Sequence, residues 1–122
     1  MKNCGLLLVF SIIVSVMMSS CRHPVPEGPP MSFIKDVQPI ILGNCTQSGC
    51  HGTSNTQEFT LLSYDDVIRH GRVRAGDALK SKLYQVIIEN DAEDRMPKDN
   101  PPLSEVQIKT IYLWIEQGAL DN

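Results

Sequence analysis

Two thiols and one imidazole lie close together in the segment from Cys45 to His51. Cysteine thiols add to the vinyl groups of a haem, and a histidine directly after the second cysteine places its imidazole under the ring that the thioethers hold. The usual arrangement has two residues between the cysteines, whereas four separate Cys45 from Cys50. Cys45, Cys50 and His51 are therefore the first candidates for holding a cofactor.

A haem iron bound by His51 takes any sixth ligand from a thioether or a second imidazole. Met96 is the first candidate, because a proline stiffens the backbone after it and its polar loop joins two predicted helices. Its structural alternative is an exposed loop residue or a gap-filler. His70 is the runner-up, although a helix C-terminus also favours a cation there. Met31 and His23 fall in a proline-rich segment and are poorly placed.

Other polar residues add little chemistry. Arg72 and Arg74 match haem propionates, because a guanidinium pairs with a carboxylate through two parallel hydrogen bonds, but solvated surface charge is the simpler interpretation. The chain shows no nucleophile beside a general base and no phosphate-binding loop, and a zinc site would need two more ligands than the segment supplies. We expect an electron carrier rather than an enzyme; an open sixth iron position would instead allow ligand sensing or peroxidase-like chemistry.

Residues 1–20 have the pattern of an export signal. Lys2 precedes an apolar run of 13 residues from Leu6 to Met18, which is the length of a signal-peptide core and too short to span a bilayer. Small residues before Cys21 resemble a bacterial lipobox, which implies cleavage before Cys21 and acylation of that residue. Several acyl chains on one residue make anchoring stable. The alternative is an ordinary secretory signal that leaves Cys21 free.

Export limits what the cysteines do. Cys4 leaves with the signal and Cys21 is expected to carry lipid, so Cys45 and Cys50 remain for the folded part. In an oxidising space a Cys45–Cys50 disulfide would stabilise the fold by roughly 2 kcal/mol. That alternative gives a haem-free interaction domain on a lipoprotein. It gives no reason for His51 to follow Cys50 directly.

The charge balance excludes one class of partner. Loss of Lys2 with the signal leaves ten Lys and Arg against fourteen Asp and Glu, a net charge of −4 with neutral histidines. This modestly acidic composition does not predict the basic surface that binds nucleic acid. It favours solubility and a basic protein partner.

Residues 21–31 and 32–122 differ in composition. The first range contains four prolines and predicts an extended tether that holds the domain off the membrane. The second shows apolar residues at helical spacing and no convincing alternation, so we predict an all-α domain of about four short helices around one haem. A domain of about 90 residues has a marginal core, which a haem would complete.

Helical spacing between capping and breaking residues recurs in four segments, near 32–43, 64–70, 78–89 and 104–118. The first segment contains Pro39, which a helix tolerates in its first turn, so we predict a short helix that is capped by Asp36 and ends near Gly43. The alternative is a helix that begins at Ser32 and kinks at Pro39. The third segment should turn Leu79 inward.

Two of these segments begin with a predicted capping box, in which the N-cap and the third helical residue bond reciprocally to the backbone. The pairs are Ser63 with Asp66 and Ser104 with Gln107. Gly71 and Gly118 are the corresponding stop signals. The final helix therefore has the best-defined boundaries in the sequence.

Short segments spread over roughly residues 33–120 carry a family resemblance: 36–41, 44–45, 49–52, 62–65, 74–77, 81–84, 96–97, 103–104 and 114–119. They resemble the small cytochrome c-like domains of exported bacterial proteins, including the planctomycete-type cytochrome c group. The Cys-His pair with a later Met-Pro is fairly specific, whereas the terminal helix alone is not.

The resemblance implies a helical cytochrome c fold with one covalent haem c. It also implies thioethers from Cys45 and Cys50, a proximal iron bond from His51 and a distal bond from Met96. The two additional residues between the cysteines depart from the usual spacing, and Gly49 gives the longer loop freedom to turn. The expected function is single-electron transfer with a redox partner protein at the cell envelope, on the periplasmic or exterior side of a bacterial membrane.

Overall fold

The computed structural model describes residues 24–54 and 58–122. Within these ranges the chain is helical and has no strand, so the all-α prediction is confirmed. The α-helices are α1 (Gln38–Asn44), α2 (Tyr64–His70), α3 (Lys82–Ile87) and α4 (Glu105–Glu116). A π-helical turn (Phe33–Val37) leads into α1, and a 3-10 turn (Ala78–Lys80) precedes α3. The predicted signal, Cys21 and His23 lie outside the described residues.

The first helical segment begins at Ser32. The Ser32 hydroxyl accepts the N–H of Lys35 at 3.3 Å, and the Asp36 carboxylate accepts the N–H of Ser32 at 2.7 Å. The predicted cap on Asp36 is therefore wrong, because Asp36 lies inside the π turn and bonds back to the true cap. Pro39 lies in the first turn of α1, where its missing N–H costs no helical hydrogen bond.

Helices α2 and α4 begin and end close to the predicted residues, because both capping boxes form. The Ser63 hydroxyl accepts the N–H of Asp66 at 3.1 Å, and the Asp66 carboxylate accepts the N–H of Ser63 at 3.2 Å. Ser104 and Gln107 exchange the same two bonds at 3.3 and 2.9 Å. Each box satisfies two N–H groups that the helix itself leaves unpaired.

The predicted helix over residues 78–89 is interrupted at Ser81. The Ser81 hydroxyl donates to the carbonyl of Asp77 at 2.8 Å and accepts the N–H of Arg74 at 2.8 Å. Such local bonds from a serine side chain to the backbone compete with helix formation, and Ser81 has the extended angles φ −89° and ψ 121°. Leu79, which continuous helical spacing would turn inward, is 67% exposed instead.

The core forms around Trp114 of α4. Its ring lies 5.5 Å from that of Phe33, and Phe33 meets Tyr64 edge-on at 5.2 Å. The Trp114 indole N–H donates to the carbonyl of Leu120 at 2.9 Å, so the ring is buried without leaving its donor unpaired. The cluster also contains Val37, Ile41, Leu61, Val67, Ala78, Leu83, Ile87, Leu103, Ile111, Ile115 and Ala119.

The C-terminus holds the start of the domain. The Asn122 side chain accepts the N–H of Phe33 at 2.9 Å. Gln117 accepts the N–H of Met31 at 2.8 Å and donates to the carbonyl of Pro29 at 3.0 Å. The two ends of the domain therefore meet, and α1 carries the chain away from them towards Cys45. No helix within the described ranges is long and apolar enough to cross a bilayer.

Candidate functional site

Cys45 extends the last turn of α1. Its backbone N–H donates to the carbonyl of Ile41 at 2.8 Å, and the Ile41 side chain is 1% exposed in the core. The core therefore fixes the position of the first cysteine through a single helical turn.

The residues between the cysteines fold into a tight loop. The N–H of Cys50 donates to the carbonyl of Gln47 at 2.9 Å, and the N–H of His51 donates to the carbonyl of Cys45 at 2.9 Å. Gly49 has φ +82°, which glycine adopts without strain. The longer spacing is thus absorbed by a turn, and Cys50 returns to the neighbourhood of Cys45.

Gly52 closes this loop from the other side. A Cβ atom on Gly52 would lie 2.2 Å from the carbonyl oxygen of Thr46, so no larger residue fits without moving backbone. The residue after His51 must therefore be glycine if the loop is to pack against itself.

The two cysteines carry free thiols, and both are partly buried. Burial, with a smaller contribution from the neighbouring Cys50 thiol, raises the pKa of the Cys45 thiol to about 11. Cys45 is therefore protonated at neutral pH, in which form a thiol is a weak nucleophile and a poor zinc ligand.

Phe59 holds the imidazole of His51. The Nδ1 atom lies 3.2 Å from the Phe59 carbonyl oxygen; because a carbonyl only accepts, this bond requires the proton on Nδ1 and leaves the lone pair on Nε2. Metal-binding histidines almost always donate their other ring N–H in this way. The N–H of Leu61 also donates to the carbonyl of His51 at 2.8 Å, which joins the two segments a second time.

The Phe59 ring lies between two imidazoles. Its centroid is 4.4 Å from that of His51 with 12° between the ring planes, and 4.9 Å from that of His70 with 3° between the planes. His70 ends α2, so this helix supports the stack from the side opposite His51. No spacing rule assigns such a role to Phe59, because its contribution comes from a backbone carbonyl and a ring face.

Met96 is fixed by its backbone. Its N–H donates to the carbonyl of Val86 in α3 at 2.9 Å, and the N–H of Leu83 in α3 donates to the carbonyl of Gly71 at the end of α2 at 2.8 Å. No hydrogen bond or ring contact in the described part of the chain joins Met96 directly to His51. The structure thus brings Cys45, Cys50 and His51 together with Phe59 and His70, and connects Met96 to them through α3 and α2.

The arginines differ in their surroundings. Arg72 and Arg74, the propionate candidates, have exposed side chains. Arg95 is half-buried, and its Nε atom is shielded from solvent with no hydrogen-bond partner in the described ranges. Sequence reasoning missed Arg95, because its charged, proline-containing loop gives no signal of burial.

Two grooves of about 390 Å³ each lie away from the cysteine–histidine segment. One is formed by Trp114 and Leu120 with the proline-rich segment, and the other lies beside Tyr112 and Glu116. The described residues contain no group of three or more His, Cys, Asp or Glu side chains placed to hold a metal ion.

The donor set at His51 is one imidazole beside two thiols. A single imidazole suits a metal that brings other ligands of its own, as haem iron does, and the thiols suit covalent attachment to a haem edge. The buried Nε of Arg95, which has no hydrogen-bond partner among the described residues, suits an acidic group such as a propionate. These residues are compatible with a c-type haem. No protein-family model, curated protein or solved structure matches the chain.

Proposed function

We propose that this chain is a membrane-anchored, monohaem c-type cytochrome that transfers single electrons at the cell envelope. The observation that carries the proposal is the contact between His51 Nδ1 and the Phe59 carbonyl oxygen at 3.2 Å. It leaves Nε2 available to iron on the residue directly after Cys50, where a haem clamp requires it.

Each site residue then has a distinct task. Cys45 and Cys50 would hold a haem c covalently, and His51 Nε2 and the Met96 sulfur would ligate its iron. A bound haem would supply the one-electron ferrous–ferric couple, and a methionine ligand beside the histidine would raise its potential. Phe59 orients the imidazole of His51 and covers one of its faces, which keeps water from that face.

The N-terminal segment supplies the location. An acylated Cys21 would anchor the protein to a bacterial membrane, with the domain on the periplasmic or exterior side. Gln117 supports this arrangement, because its contacts with Pro29 and Met31 hold the end of the tether against α4. Electrons would then come from and go to a redox partner protein, for which the acidic net charge favours a basic docking surface.

A haem-free lipoprotein interaction domain is the second candidate. The observation that favours it is the tight loop that carries the two free thiols, in which the N–H of His51, directly after Cys50, donates to the carbonyl of Cys45 at 2.9 Å. Oxidation of these thiols to a disulfide would staple the loop.

Absorption spectroscopy of the purified full chain, produced with a c-type maturation system, separates the candidates. A cytochrome shows a Soret band that sharpens and shifts on reduction, and a His51→Ala variant loses or alters it. His23→Ala is the matched control, because it removes an imidazole from the predicted proline-rich tether and leaves both candidate iron-binding histidines of the domain in place. Native protein without a Soret band would overturn the haem proposal.

A further inference from the structure

Arg95 presents a buried donor that no described residue satisfies. Its Nε is shielded from solvent and has no hydrogen-bond partner in the described part of the chain. A guanidinium always carries the proton at Nε, and native proteins nearly always give a buried N–H an acceptor. The arrangement therefore indicates an acceptor that the described residues do not supply.

Acidic residues of the same loop do not supply that acceptor. Asp91, Glu93 and Asp94 have exposed side chains, and none of them pairs with Arg95. Asp91 is engaged locally, since its carboxylate accepts the N–H of Glu93 at 2.9 Å and its carbonyl accepts the backbone N–H of Arg95 at 2.9 Å. The loop therefore bonds to its own backbone, and none of these three carboxylates accepts from the Arg95 Nε.

The backbone links this arginine to the proposed iron ligands. The next residue, Met96, donates its N–H to the carbonyl of Val86 at 2.9 Å. Leu83, one turn earlier in α3, donates its N–H to the carbonyl of Gly71 at 2.8 Å. Gly71 follows His70, which stacks on the ring that holds the proximal imidazole. The loop that carries the proposed distal ligand thus also carries the unsatisfied donor.

We infer that Arg95 binds a propionate carboxylate of the haem; this inference rests on the proposed function. A guanidinium matches a carboxylate through two parallel, charge-assisted hydrogen bonds, and the partial burial of Arg95 strengthens such a pair relative to one in water. The exposed Arg72 and Arg74 lack that setting. A cation beside the propionate keeps it ionised to lower pH and, by offsetting its negative charge, disfavours the ferric state.

The test compares Arg95→Gln and Arg95→Lys with the control Arg72→Gln, all in the haem-loaded full chain. Potentiometry from acidic to neutral pH measures how the reduction potential changes with pH, and the pH of that change gives the apparent pKa of the propionate. Redox-difference infrared spectroscopy follows the carboxylate bands of the propionate. Arg95→Gln should raise the apparent propionate pKa by about one unit, a tenfold change in proton affinity, and lower the potential at neutral pH. Arg95→Lys should give a smaller shift, because it keeps the charge and loses the paired geometry.

The outcomes separate the two proposals. Haem-loaded Arg95→Gln with the same pH step and carboxylate bands as Arg72→Gln overturns the inference alone. If Arg95→Gln fails to retain haem, Arg95→Lys decides: a shifted step supports the inference, and an unshifted step overturns it. A native chain that takes up no haem overturns the proposed function, and this inference with it.

Discussion

Nδ1 of His51 lies 3.2 Å from the carbonyl oxygen of Phe59, and the two rings stack with their centroids 4.4 Å apart. The carbonyl sets which ring nitrogen carries the proton, while the phenyl face restricts rotation of the imidazole. One residue therefore controls both the tautomer and the orientation of the proposed iron ligand. Substitution of Phe59 removes the ring and keeps the carbonyl, so the two effects are separable.

In the haem-free chain, at a pH where imidazoles are neutral, we expect His51 to be the Nδ1–H tautomer, because the Phe59 carbonyl accepts only from a protonated Nδ1. Long-range proton–nitrogen correlation NMR distinguishes the two tautomers by their nitrogen shifts. Phe59→Leu should keep the tautomer, since the carbonyl remains. Finding the proton on Nε2 in the native chain would contradict the assignment of Nε2 as the iron donor.

Helix boundaries that depend on hydrogen bonds between residues close in sequence were predictable from the sequence. Boundaries that depend on competing contacts were not. The Ser63–Asp66 and Ser104–Gln107 boxes form as predicted, because a capping box needs only residues three apart. The break at Ser81 depends on bonds to Asp77 and Arg74, which helical periodicity does not reveal.

The candidate site also contains residues that were predictable from sequence and residues that were not. Cys45, Cys50 and His51 are neighbours in sequence, so their proximity was predictable from spacing. The carbonyl and ring of Phe59, and the buried Nε of Arg95, depend on how distant segments pack. Met96 is fastened to α3 by its backbone, and its role as a ligand stays a prediction.

Met96→Ala tests that role. If the Met96 sulfur binds iron, the ferric protein loses the weak near-infrared band of methionine-bound haem, and its reduction potential falls because histidine–methionine ligation raises it. Near-infrared absorption of the oxidised protein is the measurement. Met31→Ala is the matched control, since Met31 lies against Gln117 at the start of the domain. A band that survives Met96→Ala eliminates Met96 as ligand.

Haem-free protein under reducing conditions should lose stability as the pH rises from 9 to 11. Burial, with a further contribution from Cys50, raises the pKa of the Cys45 thiol from its ordinary value of 9.0 to about 11. Between pH 9 and pH 11 the folded state binds more protons than the unfolded state. The contribution of this thiol to the free energy of unfolding is therefore fully present below pH 9. It is lost as the pH rises towards 11, by up to about 3 kcal/mol. Urea unfolding at a series of pH values measures the slope.

Cys45→Ala is the control for that slope. It should lack this part of the alkaline loss, while tyrosine ionisation remains in both chains. Haem-loaded protein should lack it as well, because a thioether does not titrate. An equal slope in native and Cys45→Ala chains would show that burial does not perturb this thiol.

Asp66→Asn should lower the free energy of unfolding by roughly 0.5–1 kcal/mol at neutral pH, because a neutral amide oxygen accepts the hydrogen bonds of the capping box more weakly than a carboxylate does. Partial burial favours the neutral carboxyl, but hydrogen bonds from Leu62, Ser63 and Thr60 outweigh it and lower the pKa of Asp66 below 3.8. The stabilisation is therefore present above pH 3.8 and disappears as the pH falls through the lower folded-state value.

Urea unfolding at neutral and strongly acidic pH tests this, with Asp65→Asn as control because Asp65 shares the first turn of α2 and makes no cap. The Asp66→Asn and native curves should converge in acid. A gap that persists unchanged at the lowest pH would show that the carboxylate charge does not contribute to the cap.

Intact mass under denaturing conditions tests the central claim most directly. The chain is produced as an exported protein in cells with a c-type maturation system, then unfolded and extracted to remove non-covalent haem. Its mass is measured by mass spectrometry beside that of a Cys45→Ser/Cys50→Ser double variant. A c-type cytochrome retains the mass of one haem, and the double variant does not. A native chain that carries no haem mass, and is lighter than its reduced form by the pair of hydrogens lost in a disulfide, would contradict it.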